Sequence, residues 1–515
     1  MTSPPRTLGV VGAGTMGAGI AQLGVGAGIR TLLHDPIPEA LERGAEQARK
    51  GLAKWSERGR DVDQSLLEPA PAVDDLAPCD LVIEAAPERF ELKRELFERL
   101  SLVVGEEAVL ATNTSSIPVT SLASSAAHPE NVVGMHFFNP APLMKLLEVI
   151  AADQTSERAL ELARVTGEAM GKRVIIARDG PGFLVNRCGR PFYTEALRLL
   201  QERVATHDQI DRICRLGGGF RMGPFELMDL VGIDTGFEVA KSFEALSFGE
   251  PRWRPNPIQA RMVAAGRLGR KAGRGYYDYS EEPYRPEDPE PSEAGGGDDR
   301  VVAIDGDGPV AGGLRERARV AGYDVRAPDA LGRDEPELLV DAAVPAPAAD
   351  LGLATEGPPL LAICADTSLV ERGQPQACGF NIVPPVPESK LVEITRLPTT
   401  LYETAETADS FFTSLGFHTE RVDDAPALVL GRIVGQLVNE AAFAVGEGVG
   451  SAEDVDAGLT LGLNHPRGPV EWGEAIGLEA VLATVDGLFA ERHEERYRAA
   501  PLLRRAAALG TGLAS

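Results

Sequence analysis

TLGVVGAGTMGAGIAQLGVGAGIRTLLHD, residues Thr7–Asp35, is the stretch that decides the architecture. An apolar strand runs into Gly12-Ala13-Gly14-Thr15-Met16-Gly17, a helical pattern follows, and a second apolar strand ends at Asp35. In the spacing G-x-G-x-x-G the first glycine permits a tight turn and the second lets backbone approach a pyrophosphate. The third allows close helix–strand packing. A pyrophosphate would rest on the helix N-terminus, at Thr15 and Met16, where free N–H groups and the helix dipole favour negative charge. Such a turn alone is a weak signal, since a glycine-rich loop also serves as a plain turn. Here a strand precedes it, a helix follows, and an acid stands at a strand end 18 residues beyond Gly17. A carboxylate at Asp35 can hydrogen-bond ribose hydroxyls and repels a 2′-phosphate, so the expected cofactor is NAD rather than NADP.

Outward from this unit, strand-like runs recur at Asp80–Glu84, Ala108–Thr112 and Val132–His136, with an amphipathic helical stretch at Leu92–Leu100. Strands alternating with helices imply a Rossmann-type α/β domain with a doubly wound, mostly parallel sheet, set at residues 1–180. From about residue 181 to 280 the pattern turns to long helices, such as Cys188–Arg203 and His207–Leu216, and predicts an all-α domain. Residues 281–299, EEPYRPEDPEPSEAGGGDD, are rich in Pro, Glu and Gly and read as a linker.

A chain of 515 residues exceeds one hydrophobic core, so several domains are expected. The net charge of −26 argues against nucleic acid or an anionic membrane as partners, and no apolar run reaches the length of a membrane span. A local basic patch can still receive an anionic substrate. The strand begins too soon after Met1 to leave room for a signal peptide, and the five cysteines are scattered, with no C-x-x-C pair. Both features lead us to expect reduced thiols, no metal site and a cytoplasmic protein.

Beyond the linker the chain repeats itself. Gly306-Asp307-Gly308 after Val301–Ile304 matches Gly12-Ala13-Gly14 at an offset of 294, and Asp329 matches Asp35 at the same offset. GFNIVPPVPESKLVEI from Gly379 matches GMHFFNPAPLMKLLEV from Gly134 at an offset of 245, which holds through Arg187/Arg432 to Gly223/Gly468. A second Rossmann-like domain at 300–425 and a second helical domain at 426–515 are therefore expected, in degenerate form. The copy has lost about 49 residues (294 − 245), chiefly the excursion between Asp35 and Cys79. Ala311 replaces the third glycine, and Asp307 would sit within about 4 Å of a pyrophosphate charge, costing roughly 1–4 kcal/mol.

The stretches GAGTMG, DLVIEAAPE, ATNTSS, GMHFFNPAPLMKLLEVI, DGPGFLVNR, RMGPFELMDLVG and GRKAGRGYYDY together resemble the 3-hydroxyacyl-CoA dehydrogenases over residues 7–280. The layout with a degenerate second half is similar to long bacterial members acting on 3-hydroxybutyryl-CoA or 3-hydroxyadipyl-CoA. The implied chemistry removes a hydroxyl proton while hydride leaves C3. Histidine suits that base because its ordinary pKa lies near working pH. His136 ends a strand, and Glu148, twelve residues on, can hold its other ring nitrogen. The resemblance implies that Ser115 hydrogen-bonds the reacting oxygen and contacts the cofactor, and that Asn186 approaches the same centre. Each also reads as an ordinary turn or cap residue. It further implies cofactor contacts at Glu88, Lys93, Asn139 and Lys271, and CoA contacts at Lys54 and Arg58, although a charged helix face is commonly just solvated.

Where the first copy has His136 and Asn186, the second has Asn381 and Gly431, and Val344–Ala349 replaces the Lys93 helix. One working site is thus expected, with the second copy docking on the first as an intrachain pseudo-dimer and a further homodimer left open. The rival readings are a silent binding or structural relative, which predicts a broken dyad or loop, and a β-hydroxyacid dehydrogenase with a lysine base, which lacks HFFNP followed by glutamate.

Overall fold

The computed structural model describes residues 2–331, 335–345 and 357–514. It resolves into two compact units, Met1–Arg187 with Glu447–Leu463, and Cys188–Gly446 with Asn464–Ser515.

The first unit is built on eight strands: β1 (Thr7–Val11), β2 (Arg30–His34), β3 (Leu67–Ala70), β4 (Leu81–Glu84), β5 (Val109–Thr112), β6 (Val132–Phe137), β7 (Leu146–Ala151) and β8 (Arg173–Arg178). Their order is β3-β2-β1-β4-β5-β6-β7-β8, parallel throughout except at β6–β7. The order reverses beside β1, which places the ligand crevice of such a sheet over the turn after that strand. Helices α1 (Thr15–Gly26), α2 (Pro38–Glu57), α3 (Phe90–Val103), α4 (Val119–Ala123) and α5 (Glu157–Ala169) connect the strands. The amphipathic α2 buries Leu41, Ala45, Ala48 and Leu52 in the core. The three predicted inner strands and the helix around Leu92–Leu100 fall where their patterns put them. The sequence reading did not mark β3, β7 and β8, which lie toward the sheet edges.

Asn186 stands on the short α6 (Val185–Cys188). The helical stretch continues as α7 (Arg190–Glu202), α8 (His207–Gly218), α9 (Pro224–Val231), α10 (Ile233–Leu246) and α11 (Pro257–Ala264). Residues 281–299 are pinned rather than slack. Tyr284 and Arg285 both donate to Glu226 Oε1 at 2.8 Å, and Asp288 pairs with Arg215 at 2.6 Å.

A second sheet follows: β9 (Val301–Asp305), then α12 (Pro309–Val320), β10 (Asp324–Arg326), β11 (Leu338–Asp341), β12 (Leu360–Ile363), β13 (Cys378–Asn381), β14 (Leu391–Arg396), α13 (Tyr402–Ser414) and β15 (His418–Arg421). The order β10-β9-β11-β12-β13-β14-β15 reproduces the first sheet without β3, again with one antiparallel pair, β13–β14. Part of Val344–Ala349 lies outside the described residues. The chain ends in α14 (Leu430–Gly446), α15 (Ala452–Gly462), α16 (Pro469–Ile476), α17 (Leu478–Arg492) and α18 (Pro501–Leu509).

Helix α15 packs on β7 and β8 of the first sheet. A Cβ on Gly462 would stand 2.8 Å from Leu146, so only the bare backbone fits at this separation. Helix α8, its counterpart at the 245 offset, packs on β14 of the second sheet. The contacts are reciprocal residue by residue. Arg178 N–H donates to Val449 O at 2.8 Å, as Asp423 N–H does to Val204 O at 2.8 Å. Arg187 meets Glu447 at 2.8 Å, and Arg432 meets Glu202 at 2.7 Å.

Arg432 is fully buried and also bonds Glu195 at 2.9 Å and the Tyr497 hydroxyl at 2.6 Å. Removing the cation would leave buried Glu195 with only Arg496 at 4.0 Å and the Tyr497 hydroxyl at 3.2 Å, while part-exposed Glu202 keeps Arg492 at 3.3 Å. The cost is near the low end for breaking a buried pair, about 3 kcal/mol. Arg432→Met is therefore expected to lower the unfolding free energy by that amount in denaturant titrations. A loss below 1 kcal/mol would show that the network contributes little.

Candidate active site

The phosphate turn has the geometry its glycines imply. Gly12 has φ +98°, and a Cβ there would meet the Ala85 carbonyl oxygen at 2.6 Å. A Cβ on Gly17 would overlap the Gly12 carbonyl, which is why the third glycine brings α1 so close to β1. Gly14 faces open space and caps α1 with no side-chain hydrogen bond, leaving the first-turn N–H groups, including those of Thr15 and Met16, to face an anion. Asp35 accepts from Ala13 N–H at 2.9 Å and Ile37 N–H at 3.0 Å, which fixes its carboxylate beside the turn. The residues present fit a dinucleotide.

His136 and Glu148 are direct partners in the register of the antiparallel pair β6–β7. Their side chains therefore emerge on the same face, and His136 Nδ1 lies 3.0 Å from Glu148 Oε2. Both are buried. A carboxylate only accepts, so Nδ1 carries the hydrogen, and in the neutral ring Nε2 keeps its lone pair. Phe138 and Phe183 flank the imidazole, with ring centroids 4.6 and 6.0 Å away. The other oxygen of Glu148 accepts the N–H groups of Leu184 at 2.7 Å and Val185 at 3.1 Å. One carboxylate thus orients the imidazole and anchors the helix that carries Asn186, whose half-buried amide has no hydrogen-bond partner among the described residues.

Ser115 lies on the loop after β5. Glu88 organises that loop by accepting Thr114 Oγ1 at 2.6 Å, Ser115 N–H at 2.9 Å and Ser116 Oγ at 2.9 Å. These bonds and the Lys93 ammonium hold its carboxyl below the usual range despite burial, which acts first and in the opposite direction. Asn113 Oδ1 accepts Phe137 N–H at 2.8 Å, tying this loop to the end of β6. Lys93 is only 1% exposed, and its ammonium contacts Glu84 at 2.7 Å and Glu88 at 3.2 Å. Thr112 donates to the same Glu84 at 2.7 Å. The sequence reading missed Glu84, Thr112 and Thr114. Glu84 and Thr112 end neighbouring strands inside motifs already singled out, and that position was the available signal.

Asn139 is exposed just beyond β6, and Lys54 and Arg58 are exposed at the C-terminal end of α2. Lys271 lies in the other compact unit, where it pairs with Asp234 at 2.6 Å.

The second sheet carries the same cross-strand arrangement without the histidine. Asn381 and Glu393 occupy the same cross-strand register, and Glu393 again accepts two backbone N–H groups, from Val429 at 2.7 Å and Leu430 at 3.0 Å. The Asn381 amide donates instead to Ala427 O at 2.9 Å. Arg315 reaches back to the Gly306 carbonyl at 2.6 Å, and Pro309 opens the helix after that turn. With no histidine beside it, burial pushes the Glu393 carboxyl up to about 8.

Two outcomes follow from this geometry. Gly17→Ala is expected to weaken dinucleotide binding at least tenfold in fluorescence titration, because the added methyl displaces the turn from the helix; unchanged affinity would contradict the close approach. Glu393 has its carboxyl pKa raised on folding, so its contribution is fully present below about 4.5 and is lost as pH rises through about 8. Wild type should therefore lose stability relative to Glu393→Gln across that window, by at most about 1.4 kcal/mol per pH unit. A difference independent of pH would contradict the assignment.

Comparison with known proteins agrees with this geometry. Residues 7–180 match the family model of the 3-hydroxyacyl-CoA dehydrogenase NAD-binding domain. Residues 182–279 and 428–513 match that of the 3-hydroxyacyl-CoA dehydrogenase C-terminal domain. The chain is 34% identical to a 3-hydroxyadipyl-CoA dehydrogenase of Escherichia coli, covering 99% of both chains. It is 41% identical to a probable 3-hydroxybutyryl-CoA dehydrogenase of Deinococcus radiodurans, over 53% of this chain and 99% of that one. Among solved structures, a 3-hydroxybutyryl-CoA dehydrogenase from Escherichia coli matches with a TM-score of 0.82 at 32% identity, over 99% of each chain. The chain belongs to the 3-hydroxyacyl-CoA dehydrogenase family.

Proposed function

We propose that the chain oxidises (3S)-3-hydroxyacyl-CoA thioesters to 3-oxoacyl-CoA, and runs the reverse reaction, at a single active site on the first sheet. The observation that carries this is the buried His136–Glu148 pair at the crevice end of β6, beside an intact phosphate turn. Bound at Gly12–Gly17, NAD supplies the hydride acceptor. His136 Nε2 takes the hydroxyl proton, Glu148 stabilises the imidazolium that results, and Ser115 and Asn186 hold the substrate oxygen in line. Asp35 selects the ribose of NAD. Glu88, Lys93, Asn139 and Lys271 serve the cofactor, with Lys93 acting from its buried ion pair through Glu88 and the Ser115 loop. Lys54 and Arg58 are placed for the anionic CoA moiety.

The second half we read as a duplicated pair, 300–425 and 426–515, that serves as an intrachain partner. Three features support this: the repeated strand order, the exchange of α8 and α15 between sheets, and the mirrored Arg–Glu pairs, as an isologous contact requires. Its relict cleft measures about 230 Å³ and is latched by Thr484 on Ala365 O at 2.8 Å and Glu491 on Ser368 N–H at 2.8 Å. That volume is below what a cofactor and thioester need. A silent relative predicts a broken dyad or turn, and both are intact in the first copy. A lysine base is disfavoured because His136 holds that position. No helix among the described residues is long and apolar enough to cross a membrane, and the five cysteines are free and buried, which fits our placement in the cytoplasm.

His136→Ala is expected to lower turnover by roughly 10²–10⁴-fold in an NADH assay with 3-hydroxybutyryl-CoA or 3-hydroxyadipyl-CoA, with NAD affinity retained. Asn381→His should create no second site. Turnover equal to wild type in His136→Ala would remove the histidine from the mechanism.

A further inference from the structure

Lys172, the residue before β8, is a buried cation whose partners are carbonyl oxygens. It is 8% exposed, and no carboxylate pairs with it among the described residues. Its ammonium donates to Ala141 O and Met144 O, both at 2.6 Å. These oxygens belong to the turn Pro140–Met144, in which the Leu143 and Met144 N–H groups donate back to Pro140 O at 3.0 and 3.1 Å. Carbonyls left over at the end of a helical turn carry partial negative charge and attract a cation. The turn follows Asn139, three residues past His136, and lies against α1, where a Cβ on Gly19 would stand 2.9 Å from Pro142.

The second sheet supplies a cation to the matching turn from a different element. At the 245 offset, Ala141, Met144 and Lys172 correspond to Val386, Ser389 and Phe417, so the ammonium is absent there. Arg317 of α12 stands in for it. Its guanidinium donates to Val386 O at 3.4 Å and Ser389 O at 3.1 Å, and rests over the Phe417 ring at 4.2 Å. At the 294 offset Arg317 corresponds to Leu23 of α1. The cation has changed element while the carbonyls it holds have not, so the turn itself calls for the charge. The two arrangements differ in one respect. Arginine keeps its charge throughout the working pH range, whereas burial pushes the Lys172 ammonium down to about 8. Charged groups on the neighbouring elements do not counter this. Lys145 on the turn is exposed, Arg173 on β8 pairs with Glu453, α5 pairs Arg164 with its own Glu161 and Glu168, and α1 carries no charged residue.

We infer that Lys172 is a positioning residue for the reaction: its ammonium clamps the Pro140–Met144 turn against α1 and so sets Asn139 for the cofactor. This rests on the activity proposed above. In NADH fluorescence titrations near pH 7, Lys172→Met weakens binding about tenfold, while kcat at saturating cofactor stays within threefold. The same variant loses hydrogen-exchange protection at the Leu143 and Met144 amides. Leu23→Arg combined with Lys172→Phe, the arrangement of the second sheet, restores affinity to within threefold of wild type. Raising the pH through about 8 weakens NADH binding to wild type and leaves the double variant level. Unchanged affinity and exchange in Lys172→Met would overturn the inference, as would a folded double variant that binds no better than Lys172→Met or a wild-type affinity level from pH 7 to 9. Absence of turnover of any 3-hydroxyacyl-CoA ester by wild type would overturn the activity itself. That result is distinct, because the clamp is read from binding and exchange.

Discussion

Everything in the site depends on the register of one antiparallel strand pair. Opposing residues of β6 and β7 share a face, so pairing His136 with Glu148 is enough to bring imidazole and carboxylate within 3.0 Å. A slip of one residue would send the carboxylate to the opposite face of the sheet. The register is set by burial on both faces: Val133, Met135, Phe137, Leu147 and Val149 are buried on one, and Val132, Leu146 and Ile150 share the other with His136 and Glu148. The geometry of the pair is thus a by-product of core packing.

The carboxylate in that pair does more than orient a ring. By accepting two backbone N–H groups after Phe183, Glu148 also fixes the start of α6 and the position of Asn186. The second copy shows which of these tasks the fold itself needs. Glu393 keeps both backbone bonds, although its histidine has become Asn381 and burial then disfavours its charge. Helix anchoring alone is a sufficient structural role for an acid at this position.

Much of this was legible in the sequence for physical reasons. The glycine spacing has one good structural solution, and His136 and Glu148 stand out as a possible pair, although the returning strand β7 that joins them was not marked. Less legible were groups whose meaning depends on distant partners. Lys93 was expected at the cofactor from the family resemblance, and the structure seats it in a dry pair with Glu84. Glu84 itself gave no signal beyond standing at a strand end. Residues 281–299 have the composition of a slack connection, but Tyr284, Arg285 and Asp288 find partners on α8 and α9 that no local pattern reveals. The exchange of α8 and α15 between sheets was likewise invisible, since offsets record which segments correspond and not where they pack.

The central claim is that Glu148 holds His136 as the Nδ1–H tautomer, leaving Nε2 as the base. ¹⁵N NMR of the chain labelled in histidine, with His136→Ala used to assign its signals, tests this at neutral pH. The account predicts a proton on Nδ1, and replacing Glu148 should abolish that preference. A neutral ring protonated on Nε2 in the intact chain would contradict it.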